Sequence, residues 1–230
     1  MASAAALLSA VVGVPVGWLA WRWAQTFIDA RSLEKGDTEV RLPWPTAVML
    51  TAAIFGALGW RFAGDALIIA TYSLIFGLLV VLLLVDFGRY YLPNRLIALN
   101  LAVGIVAVVA VSIIKDNPAA IEFALVGVVM TFGVYVLFFV AALLLFGGHA
   151  FGLGDVKLSS VLGLAIGWVA PDYRSLFALL VWSVLIGFLS GAVVSIALLR
   201  GVKLKSAFPQ GPFLILGTLA VVLFSAQILG

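Results

Sequence analysis

Two aspartates carry most of the chemistry that this sequence can offer. Asp86 directly follows an unbroken apolar run at residues 78–85, and Asp155 follows a Gly-Leu-Gly string at residues 152–154. An ionisable side chain at the edge of a long apolar segment is costly to bury and is by default a candidate functional group. Each one alone could instead be a solvated carboxylate at a helix end. The two together indicate a carboxylate pair.

A carboxylate pair can activate water. Two carboxyl groups that share one proton cannot both ionise, so one stays protonated while the other acts as a base. The ionised group would take a proton from the attacking water, and the protonated group would hydrogen-bond the scissile carbonyl and help to expel the amine. This is aspartic protease chemistry. It needs no metal and no cofactor, and we expect neither.

The residues around Asp155 are candidates for supporting roles. Gly152 and Gly154 would let the backbone approach a substrate closely. Lys157 would either keep the carboxylate of Asp155 ionised or anchor its helix at the lipid headgroups, and the sequence does not separate these alternatives. The only histidine, His149, is interpreted as incidental.

The segment after Asp86 contains a predicted helix start. Pro93 restricts Leu92 to extended geometry and ends the loop. Asn94 is then placed to cap the following helix. We interpret both Pro93 and Asn94 as scaffolding of the site.

The other eight acids have ordinary solvated interpretations. In the membrane orientation predicted below, four of them fall in the first cytoplasmic loop, namely Asp29, Glu34, Asp37 and Glu39. The other four fall at or near outer loops, namely Asp65, Asp116, Glu122 and Asp172. With no cysteine, the chain also lacks a thiol nucleophile, disulfides and cysteine-ligated zinc.

The elements that must position these groups are membrane helices. The chain is 65% hydrophobic and only 10% charged, far from the composition of soluble domains. A helix needs about 20 apolar residues to cross a bilayer. We therefore predict an all-α polytopic membrane protein with about eight spans, at residues 4–27, 45–63, 66–85, 96–114, 121–146, 157–170, 176–199 and 211–229.

Basic residues predict the orientation. With both termini outside, ten of the thirteen lysines and arginines fall in cytoplasmic loops, as the positive-inside rule requires. The net charge of +3 and the scatter of these residues in short loops argue against nucleic-acid binding. We expect one membrane domain over residues 1–230, with a short cytoplasmic loop at residues 28–44.

Three motifs resemble those of one family. The string Gly152-Leu153-Gly154-Asp155-Val156-Lys157-Leu158 is similar to the GxGD signature of the prepilin peptidases, the type IV leader peptidases. Asp86 followed by Leu92-Pro93-Asn94 resembles that family's first catalytic segment. Residues 208–213, with Gln210 in place of a phenylalanine, resemble its closing element. The resemblance covers residues 66–229, which would form the peptidase core.

This resemblance implies an activity. Asp86 and Asp155 would be the catalytic pair of an intramembrane aspartic endopeptidase in the inner membrane of a bacterium. The enzyme would remove short basic leaders from prepilins or pseudopilins by cutting after glycine at the cytoplasmic face. Larger family members carry a cysteine-rich loop that accompanies N-methylation. The short loop at residues 28–44 has no cysteine, so we expect no methyltransferase activity.

Other protein classes stay open. A proton-coupled or ion-coupled transporter would use Asp86 and Asp155 to bind the coupling ion. It should show internal repeats, and none is evident in the sequence. A structural membrane subunit would tolerate replacement of both aspartates. Within the proteases, a preflagellin peptidase or a presenilin-like enzyme is the alternative, but the latter should have tyrosine beside the first aspartate, where this chain has Val85 and Phe87.

Overall fold

The protein is helical throughout the described chain. The computed structural model describes residues 2–30, 41–146, 152–199 and 209–230. These residues form eight helices and no strand, namely α1 (Ala2–Ala30), α2 (Trp44–Arg61), α3 (Ala66–Arg89), α4 (Asn94–Ile114), α5 (Pro118–Phe146), α6 (Leu153–Val169), α7 (Tyr173–Leu199) and α8 (Gly211–Leu229). The predicted all-α polytopic class is confirmed.

Six of the eight helices are long and apolar enough to cross a membrane. The two that fall outside this group are the 18-residue α2 and the 17-residue α6. We predicted the sixth span to be short, at residues 157–170, and α6 is the shortest of the eight helices. The orientation of the helices in the bilayer stays a prediction.

The chain divides into two compact units, Met1–Val111 and Ser112–Gly230. The first unit contains α1 to α3 and most of α4, and the second contains α5 to α8. The expectation of one membrane domain over residues 1–230 stays a prediction.

Small residues set the packing of the first unit. A Cβ on Gly13 of α1 would lie 2.7 Å from the Cα of Ala52 on α2, so only glycine permits this approach. Close backbone contact of this kind is a common way to associate helices in lipid, where the hydrophobic effect no longer drives helices together. The buried side chain of Asn100 on α4 donates to the carbonyl of Ile75 on α3, at 3.3 Å. α3 is thereby tied to the next helix in the chain.

The helices of the second unit are also packed through glycines and a buried hydrogen bond. A Cβ on Gly163 of α6 would overlap the carbonyl of Gly127 on α5, and one on Gly167 would overlap the carbonyl of Phe123. α7 and α8 are linked by a buried hydrogen bond of 3.0 Å between the hydroxyls of Ser183 and Thr218. Gly163 and Gly167, four residues apart on one face of α6, are thus positions of close helix packing.

Candidate active site

Asp86 lies in the last turn of α3. Only 6% of its surface is exposed, and the three residues before it are buried leucine and valine side chains. The helix ends one turn later because Tyr90 adopts a left-handed conformation with φ of 49°, and its amide donates to the carbonyl of Asp86 at 2.8 Å. The third predicted span ends at residue 85, which places Asp86 in the loop that follows it. This was wrong, because the helix continues through Arg89 before Tyr90 stops it.

The Leu92-Pro93-Asn94 segment leads directly into α4. The carbonyl of Pro93 accepts the amides of Leu96 and Ile97, at 3.0 and 3.1 Å. α4 begins at Asn94. Pro93 therefore occupies the capping position that we predicted for Asn94, because the proline carbonyl already accepts the first bonds of the helix.

Asp155 lies in the first turn of α6, and 9% of its surface is exposed. Gly152 precedes the helix in an extended conformation, with φ of −85° and ψ of 135°, and its carbonyl accepts the Asp155 amide at 3.1 Å. We predicted this region as a loop as far as Val156. The prediction was wrong, because α6 already begins at Leu153. A carboxylate in the first turn interacts favourably with the helix dipole.

The carboxylate of Asp155 folds back over Gly152. A Cβ built on Gly152 would lie 3.1 Å from Oδ2 of Asp155, closer than an ordinary contact. The backbone of Gly152 is one that any residue can adopt. Glycine is therefore not needed here for its backbone freedom. Its missing side chain leaves room for the carboxylate of Asp155.

Burial changes the proton affinity of Asp155. This residue lies outside the six helices that are long enough to cross a membrane. Desolvation raises the pKa of its carboxyl group to about 6, and a hydrogen bond from the Gly152 backbone opposes this increase. Burial disfavours the charged form of an acid, and a hydrogen bond to that form favours it. A pKa near 6 suits a group that exchanges protons near neutral pH.

The other described acids are not buried. Three of the ten acids, Glu34, Asp37 and Glu39, lie outside the described residues, which leaves seven. Among these seven, only Asp86 and Asp155 are buried. The remaining five are Asp29, Asp65, Asp116, Glu122 and Asp172.

Four of those five acids have a polar partner: Asp29 pairs with Arg41, and the other three are described next. Asp65 accepts the amide of Ile68 at the start of α3, at 3.2 Å. Asp172 accepts the amide of Ser175 at 2.8 Å, and its pKa is lowered by the hydrogen bonds from this serine. Glu122 accepts a hydrogen bond from Tyr173. The sequence predicts solvated positions for these three acids, and none of them is buried.

The supporting residues differ in exposure. The side chain of Lys157 is exposed, although it lies only two positions after the buried Asp155. Gly154 is half-buried within the first turn of α6. The roles of Lys157 and Gly154 stay predictions. His149 and most of the predicted loop at 28–44 lie outside the described residues.

The structure also reveals a contact that sequence reasoning missed. Nε of Arg89 donates to the backbone carbonyl of Ile28, at 3.0 Å, across 61 positions of the chain. In the sequence Arg89 is only one of the thirteen basic residues whose distribution predicts the orientation. Its position one turn after Asp86 was the available clue, but a backbone carbonyl partner leaves no trace in the sequence.

The two aspartates belong to different units, Asp86 to the first and Asp155 to the second. Their pairing stays a prediction. Within the described ranges, no group of three or more histidine, cysteine, aspartate or glutamate side chains is arranged to hold a metal ion.

These features define a polytopic helical membrane protein with two buried carboxyl groups, one at the end of a helix and one at the start of another. The model of the type IV leader peptidase family matches residues 73–196, more than half of the chain. The chain belongs to this family, and it is a multi-pass membrane peptidase of the leader peptidase type. Comparison with curated proteins and with solved structures gives no match.

The matched region has clear limits. It begins within α3 and ends within α7, so it contains both Asp86 and Asp155. It excludes α1, α2 and α8, and it excludes the segment around Gln210 that resembles the closing element of the family. The peptidase core that we expected at residues 66–229 is wider than the part that the family model matches.

Proposed function

We propose that this protein is an intramembrane aspartic endopeptidase whose catalytic residues are Asp86 and Asp155. The observation that carries the proposal is the selective burial of these two acids among the seven that the structure describes. Burying a carboxyl group in an apolar setting costs free energy. Buried acids are therefore uncommon, and each one is a candidate functional group. Both residues also lie inside the region that matches a peptidase family.

In this proposal the two acids have different roles. A pKa of about 6 makes Asp155 mostly ionised at pH 7, so it acts as the base that takes a proton from the attacking water. Asp86 holds the shared proton, donates a hydrogen bond to the scissile carbonyl oxygen, and then protonates the departing amine. The water oxygen forms a bond to the carbonyl carbon, and the carbon–nitrogen bond breaks as the amine accepts the proton.

The substrates are prepilins or pseudopilins. Membership of a leader peptidase family implies proteins with a removable leader. We propose that the leader is short and basic, that the cut follows glycine, and that the reaction takes place at the cytoplasmic face of the bacterial inner membrane. The proposal includes neither a methyltransferase activity nor a nucleic-acid partner.

The first cytoplasmic loop is the proposed contact for the basic leader. Among the four acids that the sequence assigns to this loop, only Asp29 is described; it lies in the last turn of α1 and already forms a 2.8 Å ion pair with Arg41. More than half of each of these two side chains is exposed. Attraction of the leader would therefore rely mainly on the other three acids of this loop.

One experiment tests the catalytic pair. The purified protein in detergent is incubated with a prepilin, and cleavage is compared for wild type, Asp86→Asn and Asp155→Asn. Removing either proton-transfer group should lower kcat by about 10²- to 10⁴-fold. The matched control is Asp116→Asn, because Asp116 is exposed and has φ of 53°, a conformation that asparagine tolerates.

The outcomes separate the classes of protein. Cleavage that survives either Asp86→Asn or Asp155→Asn would refute the proposed pair. A wild-type protein that leaves every prepilin intact would refute the substrate class and favour an ion-coupled transporter. The control should cleave at the wild-type rate.

A further inference from the structure

Arg89 joins the ends of two helices in the first unit. Its Nε donates to the carbonyl of Ile28, two residues before the last residue of α1, while Arg89 is itself the last residue of α3. The side chain of Ile28 is only 2% exposed, and Arg89 is half-buried. The contact therefore lies within the packed part of the unit and not on its surface.

The physical reason for this bond is the chemistry of helix ends. The last four carbonyls of an α-helix have no partner within the helix, and the carbonyl of Ile28 is one of them. A guanidinium group satisfies such a carbonyl and also interacts favourably with the negative end of a helix dipole. Arg89 provides both contributions to α1. A hydrogen bond from a charged donor is stronger than one between neutral groups.

The same turn of α3 carries Asp86. Asp86 precedes Arg89 by three residues, so the two side chains are neighbours on the helix surface. The next residue, Tyr90, donates its amide to the Asp86 carbonyl at 2.8 Å. The turn that holds Asp86 is thus closed by one hydrogen bond within α3 and attached to α1 by another.

We propose that Arg89 is a positioning residue, which holds the last turn of α3, and with it Asp86, against the end of α1. This inference rests on the proposed function, because it assigns Arg89 a role in peptide cleavage. It also gives α1 a role. α1 lies outside the residues that match the family, so this chain uses an element beyond the matched core to orient its first catalytic acid.

The first test measures catalysis in the full-length protein. Arg89→Gln should lower kcat for a prepilin by about 10- to 100-fold, because small displacements of a catalytic group have effects of this size. KM should change by less than about threefold, since Arg89 does not bind substrate in this proposal. Arg89→Lys should recover part of the loss, because its ammonium group can still donate to a carbonyl. Arg95→Gln is the matched control, since Arg95 is exposed and loses the same charge.

The second test measures packing without any substrate. The chain has no cysteine, so Ile28→Cys introduces a single buried thiol at the end of α1. A membrane-permeant maleimide should label this thiol slowly in the otherwise wild-type protein. The maleimide should label this thiol at least several times faster when Arg89→Gln is added. When Arg95→Gln is added instead, labelling should proceed at the original rate.

Each outcome decides the question. A fall in kcat that accompanies faster labelling supports the proposal. An unchanged kcat overturns it, and so does a raised KM with unchanged kcat, which would make Arg89 a substrate contact. A lower kcat with unchanged labelling overturns it as well. A wild-type protein that cleaves no prepilin would remove the proposed function, whereas labelling would still report on the attachment of α1.

Discussion

Gly152 offers the sharpest test of how the chain arranges Asp155. A methyl group at position 152 would lie 3.1 Å from Oδ2 of Asp155, whereas ordinary contacts begin at 3.4 Å. The carboxylate must therefore move by about 0.3 Å, and displacement of a reacting group by about 1 Å lowers rates by about 10²-fold. Gly152→Ala should consequently reduce kcat by a few-fold, between about threefold and tenfold. Gly152→Val presents more bulk to the carboxylate and should reduce kcat further.

The assay is steady-state cleavage of a prepilin, with thermal unfolding in detergent as the measure of stability. Gly152 has an extended conformation that alanine adopts without strain. The unfolding temperature of the Gly152→Ala variant should therefore stay near that of the wild type. Gly133→Ala is the matched control, because a Cβ there meets no atom within 4 Å. If Gly152→Ala cleaves at the wild-type rate, or if Gly133→Ala is equally slow, the steric argument is wrong.

Two further predictions follow from the second unit. In the proposed mechanism Asp155 is the ionised base, and burial raises its pKa to about 6, so kcat/KM should fall as the pH is lowered through about 6. A rate that is constant between about pH 5 and 7.5 would contradict this role. Gly163→Ala should lower stability by about 1–3 kcal/mol, because the added Cβ overlaps the carbonyl of Gly127 in a packed helix interface. An unfolding temperature equal to that of Gly133→Ala would refute this packing argument.

The helices were predictable because the apolar runs are long and separated by short polar segments. Each of the eight predicted spans corresponds to one helix, and the structure extends several of them by a few residues. Those extensions matter at the site, since they place Asp86 and Asp155 inside helices. Apolar run length predicts which residues lie in lipid. It does not predict where the backbone hydrogen bonding stops, which depends on caps such as Tyr90 and Gly152.

The sequence alone was enough to select the two aspartates as candidates, because an acid at the end of an apolar run is unusual whatever the fold. Only the tertiary structure decided how their surroundings are built. The contact of the Asp155 carboxylate with Gly152 depends on a side-chain orientation, and the bond from Arg89 to Ile28 depends on two helices that are distant in sequence. Contacts of this kind involve backbone atoms or the absence of a side chain. A single sequence records neither, so these contacts emerge only when the helices are packed.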